Sequence, residues 1–580
     1  MSTKFKLDQK IIAKNIESVQ SYMAQNNIET FYVSSFDAYL NEYVPMTDCH
    51  RFYITGFTGS VAEALIPKTG KVKIYVDGRY HEQADLECDK SLVEVVKVQA
   101  NQGVLNTLKL DLEQMNPKNI AIEADRTSVG FFDELKDKYD VKILQNNELA
   151  TLIDFVKAEL PGKITHLDIS LSGATTQDKL KNIFKFDHDA YFVTAIDSLS
   201  WITNCRGYHL PNLSSFLGTG LVLKDKVYVF IAKGIEVDCS DAHIEFIHCD
   251  GSELADHLNT ITKSLSLKNI FIDKGMLNTQ NYLILESVFG KDKLISKPGG
   301  LVEFHSIKNP GEIKAMKDSF RRGDRAIFNT IKWVKSEVSA GKKVSELDLY
   351  NKTSEMYEKE GAITQSFGTI SGAGANGSII HYSDPKADVF IKEDTMVLLD
   401  SGGYFASGFA TDTTRTFLGG AKCSDEKYKK IYTLVLKGTL NLQNAVFKPE
   451  TKGMGLDAIC RQPLYQEGYD FAHGTGHGVG IHVHEGGVGI GPTRNYILKP
   501  GQVVSIEPGI YIPGFGGVRL ENIGLIKEHP VHKGFLCFES LVNIGFEHGL
   551  IDLSLLSEQE KKWLNEYEDL CAKNGTSFLN

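Results

Sequence analysis

Acidic residues stand in or directly beside strand-forming segments in the second half of this 580-residue chain. Asp400 closes the apolar run 395–399, and Asp412 lies in the β-branched run 410–417, which we expect to return as the partner strand of a hairpin. An aspartate at a strand end is often only a turn former, but one inside a strand needs a partner such as a cation when it is buried. The pattern therefore favours a β-rich domain folded around bound positive charge.

Two glutamates repeat the pattern further along the chain. Glu507 follows the apolar run 503–506, and Glu521 follows the strand-like run 517–520. Taken singly, either side chain could lie at a solvated strand edge, because glutamate is rarely buried unless it is paired or coordinates an ion. Four carboxylates crowded into one site would repel each other, and a pair of divalent ions is the simplest way to neutralise them.

Segment 471–485 is punctuated by glycines and contains His473, His477 and His484. Glycine at alternate positions makes a helix improbable, so the segment differs from helical zinc motifs, whose histidines share one helical face. We expect a loop or an extended segment, in which the missing side chains let a substrate or an ion approach the backbone closely. The alternative is a glycine-rich turn that carries its histidines incidentally.

Two aspartates, two glutamates and one histidine form an oxygen-rich donor set with a single imidazole. This set suits Mn²⁺, with Co²⁺, Zn²⁺ or Fe²⁺ as alternatives, because geometry and availability select among these ions more than affinity does. A centre of two such ions lowers the pKa of a bridging water and polarises a carbonyl group, as the hydrolysis of a peptide requires. The donor set therefore predicts a dinuclear hydrolase.

The first 310 residues contain a weak internal repeat with an offset of about 160 residues. The segments that start at Phe31 and at Tyr191 each begin with an apolar strand and continue to a glycine-rich strand, at 54–60 and at 216–220. Strands that alternate with helical stretches indicate an α/β domain, so we predict two copies of one such domain. Two unrelated α/β domains that share this punctuation by chance are the alternative.

These patterns predict three domains. Residues 1–155 form the first α/β domain, residues 156–310 form its repeat, and residues 311–580 form the domain that carries the chemistry. The third domain opens with a helical pattern over 312–336 and becomes strand-rich after residue 362.

Charge and composition exclude several kinds of partner. The net charge is −11 and the lysines are spread along the chain, whereas binding to nucleic acid requires clustered positive charge. No window approaches the roughly 18 apolar residues of a membrane-spanning helix, and the N-terminus lacks the apolar core of a secretory signal. Nine cysteines without a CxxC pair are typical of a reducing compartment. We therefore expect a cytoplasmic protein with no nucleic-acid or membrane partner.

Three strings in the last third of the chain resemble those of the prolidase and Xaa-Pro aminopeptidase branch of the pita-bread metallopeptidases. They are residues 473–480, Glu507-Pro-Gly and Arg519-Leu-Glu-Asn. The chain as a whole, including Asp77-Gly-Arg-Tyr and the string at 379–382, is similar to the long, three-domain cytosolic Xaa-Pro aminopeptidases. The resemblance implies two creatinase-N-terminal-like α/β domains followed by an α+β pita-bread catalytic domain.

The same resemblance implies an activity. The enzyme would release the N-terminal residue from peptides with proline at the second position, by attack of a water or hydroxide that bridges two divalent ions. The proline nitrogen belongs to a tertiary amide and its ring fixes φ, which excludes peptidases that need a backbone N–H at that point. The resemblance also implies a homodimer, joined largely through the catalytic domain.

Carried over by position, the resemblance assigns two sets of roles. The implied metal ligands, of which Asp412 and Glu521 would bridge both ions, are Asp400, Asp412, His477, Glu507 and Glu521. The implied catalytic residues are His381, His473, His484 and Glu507, and the residues implied to bind substrate are His381, His473, His484 and Arg519. For His381, a buried structural histidine is the alternative.

The interval between Asp400 and Asp412 is one residue longer than is usual in that family. A slip of one residue would turn a strand side chain to the opposite face, so we expect a turn or bulge around 404–409 to absorb it. Two other functions stay open. A prolidase would act on dipeptides only and would need a single N-terminal domain, and a silent binding module would have lost ligands, of which all five are present.

Overall fold

A computed structural model describes residues 6–99, 102–144, 148–155, 162–184, 189–421 and 423–579. The contacts within the described chain divide it into two compact units. One unit takes in the residues up to 168 together with 174–305, and the other takes in 169–173 and the described residues from 306 onward. None of the helices in the described ranges is long and apolar enough to cross a membrane.

The N-terminal part of the first unit is a mixed sheet flanked by helices. The strands are β1 Thr30–Val33, β2 Glu63–Pro67, β3 Val72–Val76, β4 Val93–Lys97, β5 Asn119–Glu123 and β6 Asp140–Leu144. The helices are α1 Gln9–Gln25, α2 His50–Thr55, α3 His81–Glu87, α4 Val104–Met115, α5 Val129–Lys136 and α6 Glu148–Leu152. The strand order is β4-β3-β2-β1-β5-β6, in which β2 runs antiparallel to its two neighbours and the other pairs are parallel.

The elements from residue 163 to residue 305 build a second mixed sheet. The strands are β7 Lys163–His166, β8 Asp189–Val193, β9 Cys205–Arg206, β10 Thr219–Val222, β11 Val227–Ile231, β12 Glu236–Asp238, β13 Ile244–His248, β14 Asn269–Ile272 and β15 Leu294–Ser296. The helices are α7 Ile169–Ser172, α8 Thr176–Ile183, α9 Ile196–Thr203, α10 Leu254–Thr262, α11 Thr279–Phe289 and α12 Val302–His305. The main sheet has the order β13-β11-β10-β8-β14-β15, and β12-β7-β9 form a small separate sheet.

The two six-stranded sheets share one topology. In both, the third strand of the order is antiparallel to its two neighbours, and all other neighbouring pairs are parallel. Of the two glycine-rich strings that we predicted to be strands, 216–220 enters β10 at Thr219, whereas 54–60 forms no strand. Residues 54–60 contain the end of α2 and a loop, because Gly56 adopts φ +72° and its N–H closes the helix on the carbonyl of Phe52. The strand β2 begins only at Glu63.

Equivalent positions of the two sheets meet each other within this unit. Ser128, which caps α5, forms an antiparallel bridge with Asn278, which caps α11. The N–H of Val129 donates to the carbonyl of Leu277 at 2.9 Å, and the N–H of Thr279 donates to the carbonyl of Thr127 at 2.8 Å. The two copies are therefore joined through the same helix-capping turn on each side.

The second unit combines small antiparallel sheets with the short helix α7 and five longer helices. The strands are β16 Val344–Ser345, β17 Thr364–Gln365, β18 Ile370–Ala373, β19 Phe390–Ile391, β20 Met396–Ser401, β21 Gly403–Tyr404, β22 Thr413–Leu418, β23 Gly476–Gly478, β24 Glu485–Ile490, β25 Val503–Ile506, β26 Gly509–Ile512, β27 Gly516–Arg519, β28 Asn522–Glu528 and β29 Leu536–Ser540. The helices, apart from α7, are α13 Pro310–Ser339, α14 Glu346–Lys359, α15 Glu426–Gln443, α16 Gly453–Tyr465 and α17 Glu558–Lys573.

The predicted helix over 312–336 corresponds to α13. It begins with a capping box between Asn309 and Glu312 and with Pro310 in its first turn, both of which favour a helix start. The region after 362 is strand-rich, as predicted, although α15, α16 and α17 interrupt it. Two sheets position the candidate ligands: β18-β20-β22 and β24-β23-β25-β28-β29.

Candidate metal centre

Asp400 and Asp412 lie on one face of the same hairpin. Asp400 is the penultimate residue of β20, which pairs antiparallel with β22. The register of this pair continues unchanged to the bridge between Tyr404 and Ala410, which places Asp412 opposite Gly402. Since residues two apart on a strand share a face, Asp412 is a diagonal neighbour of Asp400.

The hairpin differs from the sequence-based prediction in the place of Asp412, and it shows where the additional residue lies. Asp412 directly precedes β22, which begins at Thr413, so it is not inside the strand. The unbroken register leaves no bulge between the strands, so the additional residue of the interval is accommodated in the turn 405–409. The N–H of Gly408 closes that turn on the carbonyl of Phe405 at 2.8 Å.

His477, Glu507 and Glu521 come from neighbouring strands of the five-stranded sheet. His477 lies in β23, Glu507 directly follows β25, and Glu521 directly precedes β28. Nε2 of His477 is 3.4 Å from Oδ2 of Asp412 and 3.3 Å from Oε1 of Glu507. Donor atoms of Asp412, His477 and Glu521 all lie within 4.8 Å of one another. The fold thus gathers side chains that are more than 100 positions apart in the chain.

Burial makes this cluster electrostatically costly. Asp400 is 8% exposed, Asp412 is 5% exposed and Glu521 is 1% exposed. Burial, followed by repulsion from Asp400 and Glu507, holds the pKa of Asp412 well above its usual range. Burial, followed by repulsion from Asp412 and Glu507, likewise raises the pKa of Glu521. Ionising both Asp412 and Glu521 is therefore costly unless additional positive charge enters the cluster.

The donor atoms fit a cation. Oδ1 of Asp400 and Oε1 of Glu521 are buried and have no hydrogen-bond partner among the described residues. The second oxygen of each carboxylate is held by the protein: Oδ2 of Asp400 accepts from Nη2 of Arg519 at 2.6 Å, and Oε2 of Glu521 accepts from the hydroxyl of Thr414 at 2.9 Å. Carboxylate oxygens with a single imidazole are the donors that Mn²⁺ and related divalent ions take.

A hydrogen-bonded chain runs from His473 to Asp400. Nε2 of His473 lies 2.9 Å from the hydroxyl of Tyr511, which accepts from Nη1 of Arg519 at 2.9 Å. Arg519 is 2% exposed and sits behind Asp400. Tyr511 was missed by the sequence reasoning, because a tyrosine in the short strand β26 carries no local signal of its contacts. Burial is the main cause that raises the pKa of Tyr511 to about 12, so its hydroxyl stays protonated at neutral pH.

Segment 471–485 is extended or looped, as predicted, and packs too closely for side chains at its glycines. A Cβ on Gly476 would lie 1.8 Å from the carbonyl oxygen of Ser505, and one on Gly480 would lie 1.8 Å from Oε1 of Glu485. Such close approach is possible only for glycine. Within this closely packed segment the ring of His484 lies next to that of His477, with 4.4 Å between the ring centroids.

Helix α16 fixes the same segment from behind. Arg461 donates through Nη1 to the carbonyl of Phe471 at 2.8 Å and through Nη2 to the carbonyl of His473 at 2.7 Å. Its Nε bonds both oxygens of Asp457, and Asp457 accepts from the hydroxyl of Thr475 at 2.5 Å. This network was also missed, because it joins a helix to a loop through contacts that no local pattern reveals.

His381 lies in the loop that leads from β18 to β19. The loop borders the centre, because the carbonyl of Ile380 accepts from Nη1 of Arg519 at 3.4 Å. The side chain of His381 is half-buried, and the next residue, Tyr382, is 5% exposed and packs against Ile370 and Leu398. Of the residues singled out in the sequence, the metal-ligand candidates, His484 and Arg519 thus converge directly. His473 reaches the centre through Tyr511, and His381 reaches it through its neighbour Ile380.

The sequence matches several known protein families. The metallopeptidase family M24 matches residues 314–528, and the C-terminal region of the same family matches 534–580. Two creatinase/prolidase N-terminal domain families match residues 15–154 and 157–312. A probable Xaa-Pro aminopeptidase P of Laccaria bicolor is 33% identical over 96% of this chain and 89% of its own length. One of Coprinopsis cinerea is also 33% identical, over 96% and 94%.

Solved structures agree with these matches. The X-prolyl aminopeptidase of Caenorhabditis elegans, described as a cytosolic enzyme with a di-nuclear active site, superposes with a TM-score of 0.87 at 26% identity. The superposition covers 97% of this chain and 96% of the other. An Xaa-Pro dipeptidase of Bacillus anthracis gives a TM-score of 0.51 at 25% identity and covers 64% of this chain and 98% of its own. The predicted fold class, two creatinase-N-terminal-like domains followed by a pita-bread domain, is confirmed.

Proposed function

The chain belongs to the M24 family of metallopeptidases, and we propose that it is a metal-dependent aminopeptidase that removes the first residue from peptides whose second residue is proline. The observation that carries this proposal is the match to relatives named Xaa-Pro aminopeptidase P along 96% of the chain. The dipeptidase structure leaves about a third of the chain uncovered, so a prolidase is the less favoured function. A silent binding module is disfavoured because all five candidate ligands are present.

We assign the metal ligands to Asp400, Asp412, His477, Glu507 and Glu521. The unpartnered oxygens of Asp400 and Glu521 and the crowding of buried carboxyl groups support two divalent ions at this centre. When bound, such a pair would supply a water of lowered pKa and would polarise the scissile carbonyl. Mn²⁺ is the preferred ion of this proposal, on the strength of the donor set.

The chain's own residues orient the ligands and move protons. Arg519 neutralises and orients Asp400, and Tyr511 links Arg519 to His473. The ring of His484 packs against that of His477, and the ring of His473 packs against that of Tyr511; we assign both imidazole groups to proton exchange with the substrate. Glu507, whose Oε1 accepts from the hydroxyl of Ser505 at 3.1 Å, is the carboxylate that we assign to proton transfer.

Proline at the second position requires a pocket that asks for no hydrogen bond from the scissile nitrogen. We assign His381, His473 and His484 to the binding of substrate around this nitrogen, with Arg519 supporting them from behind the ligands. His381 belongs to a loop that contacts Arg519 through Ile380, which supports its place at the edge of the same site.

We further propose a cytoplasmic homodimer joined through the catalytic domain, with domain borders near residues 155 and 310. The description of the nematode enzyme as cytosolic supports the compartment, and the spans of the matched families support the borders. An exposed apolar face supports the dimer: it comprises Met454 and Tyr465 on α16 with the adjacent Tyr496 and Ile497.

The purified protein, loaded with Mn²⁺, tests this function on Xaa-Pro, Xaa-Pro-Yaa and Xaa-Ala-Yaa peptides side by side. We expect release of the first residue from Xaa-Pro-Yaa, much slower cleavage of the alanine peptide, and loss of activity in a chelator. Cleavage of the dipeptide alone would identify a prolidase. Equal cleavage of the alanine and proline peptides would refute the requirement for proline.

A further inference from the structure

The first residue of α14 holds a loop of the second unit in place. Glu346 is fully buried, and Oε1 accepts hydrogen bonds from the backbone N–H of Ala373 at 2.8 Å and from Nδ2 of Asn376 at 2.9 Å. Oε2 accepts from the hydroxyl of Tyr382 at 2.7 Å and from the backbone N–H of Lys386 at 3.0 Å. One carboxylate therefore fixes the end of β18 and the loop that follows it at four points.

The four donors match what an ionised carboxylate can accept. A carboxylate has about four acceptor positions and no donor, so Glu346 uses all of them here. The buried charge is thereby satisfied by hydrogen bonds from neutral groups of the loop. A glutamine of nearly the same shape would turn an NH₂ group toward two of the four donors and would lose their hydrogen bonds.

His381 stands between two fixed points of this loop. On one side, the carbonyl of Ile380 accepts from Arg519, which in turn donates to Asp400 at 2.6 Å. On the other side, Tyr382 is held by the carboxylate of Glu346 and packs in the apolar cluster of Ile370 and Leu398. The backbone on both sides of His381 is therefore set by groups outside the loop.

We propose that Glu346 is a positioning residue that sets the place of His381 at the substrate site. This inference rests on the proposed function, in which His381 contacts the peptide. Glu346 itself touches the loop and acts on the substrate only through it. Its substitution should therefore change how peptides bind and react while the metal centre keeps its ions.

A double-mutant cycle of Glu346→Gln and His381→Ala, read as kcat/KM on an Xaa-Pro-Yaa peptide, tests the proposal. We expect Glu346→Gln alone to lower kcat/KM by roughly tenfold or more. The double variant should be no slower than His381→Ala alone, because the interaction through which Glu346 acts is already absent. Losses that multiply, or a Glu346→Gln variant with the kcat/KM of the wild type, would overturn the role.

Titration calorimetry with Mn²⁺ supplies a readout that does not depend on activity. Glu346→Gln should bind Mn²⁺ with the stoichiometry and affinity of the wild type, and a lost ion would overturn an action through His381. Glu560→Gln is the matched control. Glu560 is also a buried glutamate at a helix start, where its carboxylate accepts from Ser557 and Lys437, and this variant should keep the kcat/KM of the wild type.

A substitute variant and the activity of the wild type separate a failure of the proposed function from a failure of the role of Glu346. If Glu346→Gln does not fold, the same cycle is run with Tyr382→Phe, which removes the hydroxyl that donates to Oε2. A wild type that cleaves no Xaa-Pro peptide would overturn the proposed function itself. An active wild type whose two losses multiply would overturn only the role of Glu346.

Discussion

Glu521 is held by the protein through one oxygen and presents the other to the centre. Thr414 donates to Oε2, whereas Oε1 is buried without a partner among the described residues. The arrangement fixes the carboxylate in rotation and leaves one oxygen for a cation. Asp412 reaches the same centre from the hairpin of β20 and β22, with its Oδ2 3.4 Å from Nε2 of His477.

Glu521→Gln and Asp412→Asn should therefore abolish turnover without unfolding the chain. Each removes a charged donor proposed to bridge the ions. Loss of a residue that only supports a metal ligand already lowers affinity or activity by about 10- to 100-fold, so we expect kcat/KM to fall by at least about 100-fold. Metal analysis of the purified variants should show less than the full complement of ions. In chelator, the variants should melt no lower than the wild type, because they relieve repulsion between buried carboxyl groups.

Glu539→Gln is the control for this experiment. Glu539 lies on β29 and pairs with Lys317 and Lys527 at the surface, so its variant should retain both ions and activity. Near-normal activity in either Glu521→Gln or Asp412→Asn would defeat the two-ion centre.

Helix α16 is the element that ties the histidine segment to the body of the domain. Arg461 bonds two carbonyls of that segment, and its guanidinium lies over the ring of Phe471 at 3.7 Å. Thr475 links both sides of this anchor, because its hydroxyl donates to Asp457 while its carbonyl accepts from the N–H of Glu507 at 2.9 Å. A proposed ligand is thus positioned through a helix that contributes none of the proposed ligands.

Thr475→Val should weaken metal binding at a small cost in stability. Valine keeps the shape of threonine but removes the hydroxyl that bonds Asp457, so the backbone partner of Glu507 loses one restraint. We expect the affinity for Mn²⁺, measured by titration calorimetry, to fall by about tenfold. Thr330→Val is the matched control, since Thr330 is fully buried and its hydroxyl bonds a carbonyl within α13. Equal affinities of the two variants would show that this anchor does not act on the centre.

Local patterns predicted the elements better than the contacts between them. The period of the apolar residues marked α13, and alternate glycines indicated that 471–485 is not a helix. The order of carboxylates and one histidine pointed to the centre, although Asp412 precedes its strand by one residue. Tyr511, Arg461 and Glu346 could not be found in this way, because each acts through residues that only tertiary packing brings near.

At the scale of the whole molecule, an uncovered apolar face remains on the catalytic domain. Met454 is 44% exposed, Tyr465 is 53% exposed and Ile497 is 48% exposed, and the first two lie on one stripe of α16, since residues eleven positions apart share a helix face. Large apolar residues grouped on one face are typical of an interface between proteins. The proposed homodimer would cover them.

Light scattering should accordingly report a mass twice that of the 64.4 kDa chain. Replacing Met454 and Ile497 together by glutamate should shift the protein to a monomer, because charges in the centre of an apolar interface are costly to bury. Leu86→Glu, at a residue that is 71% exposed on the first domain, should leave the mass unchanged. A wild type that is fully active as a monomer would contradict the dimer.

The close packing at Gly476 and Gly480 limits how this enzyme can be engineered. Neither position has space for a single carbon atom beyond the backbone, and Val479 and Ile481 beside Gly480 are themselves buried. A combinatorial library across this stretch would consist mostly of inactive clones. Efforts to redesign the preference of the enzyme for particular peptides should instead diversify the loop around His381, whose exposed positions, such as Ser383, tolerate variation more readily.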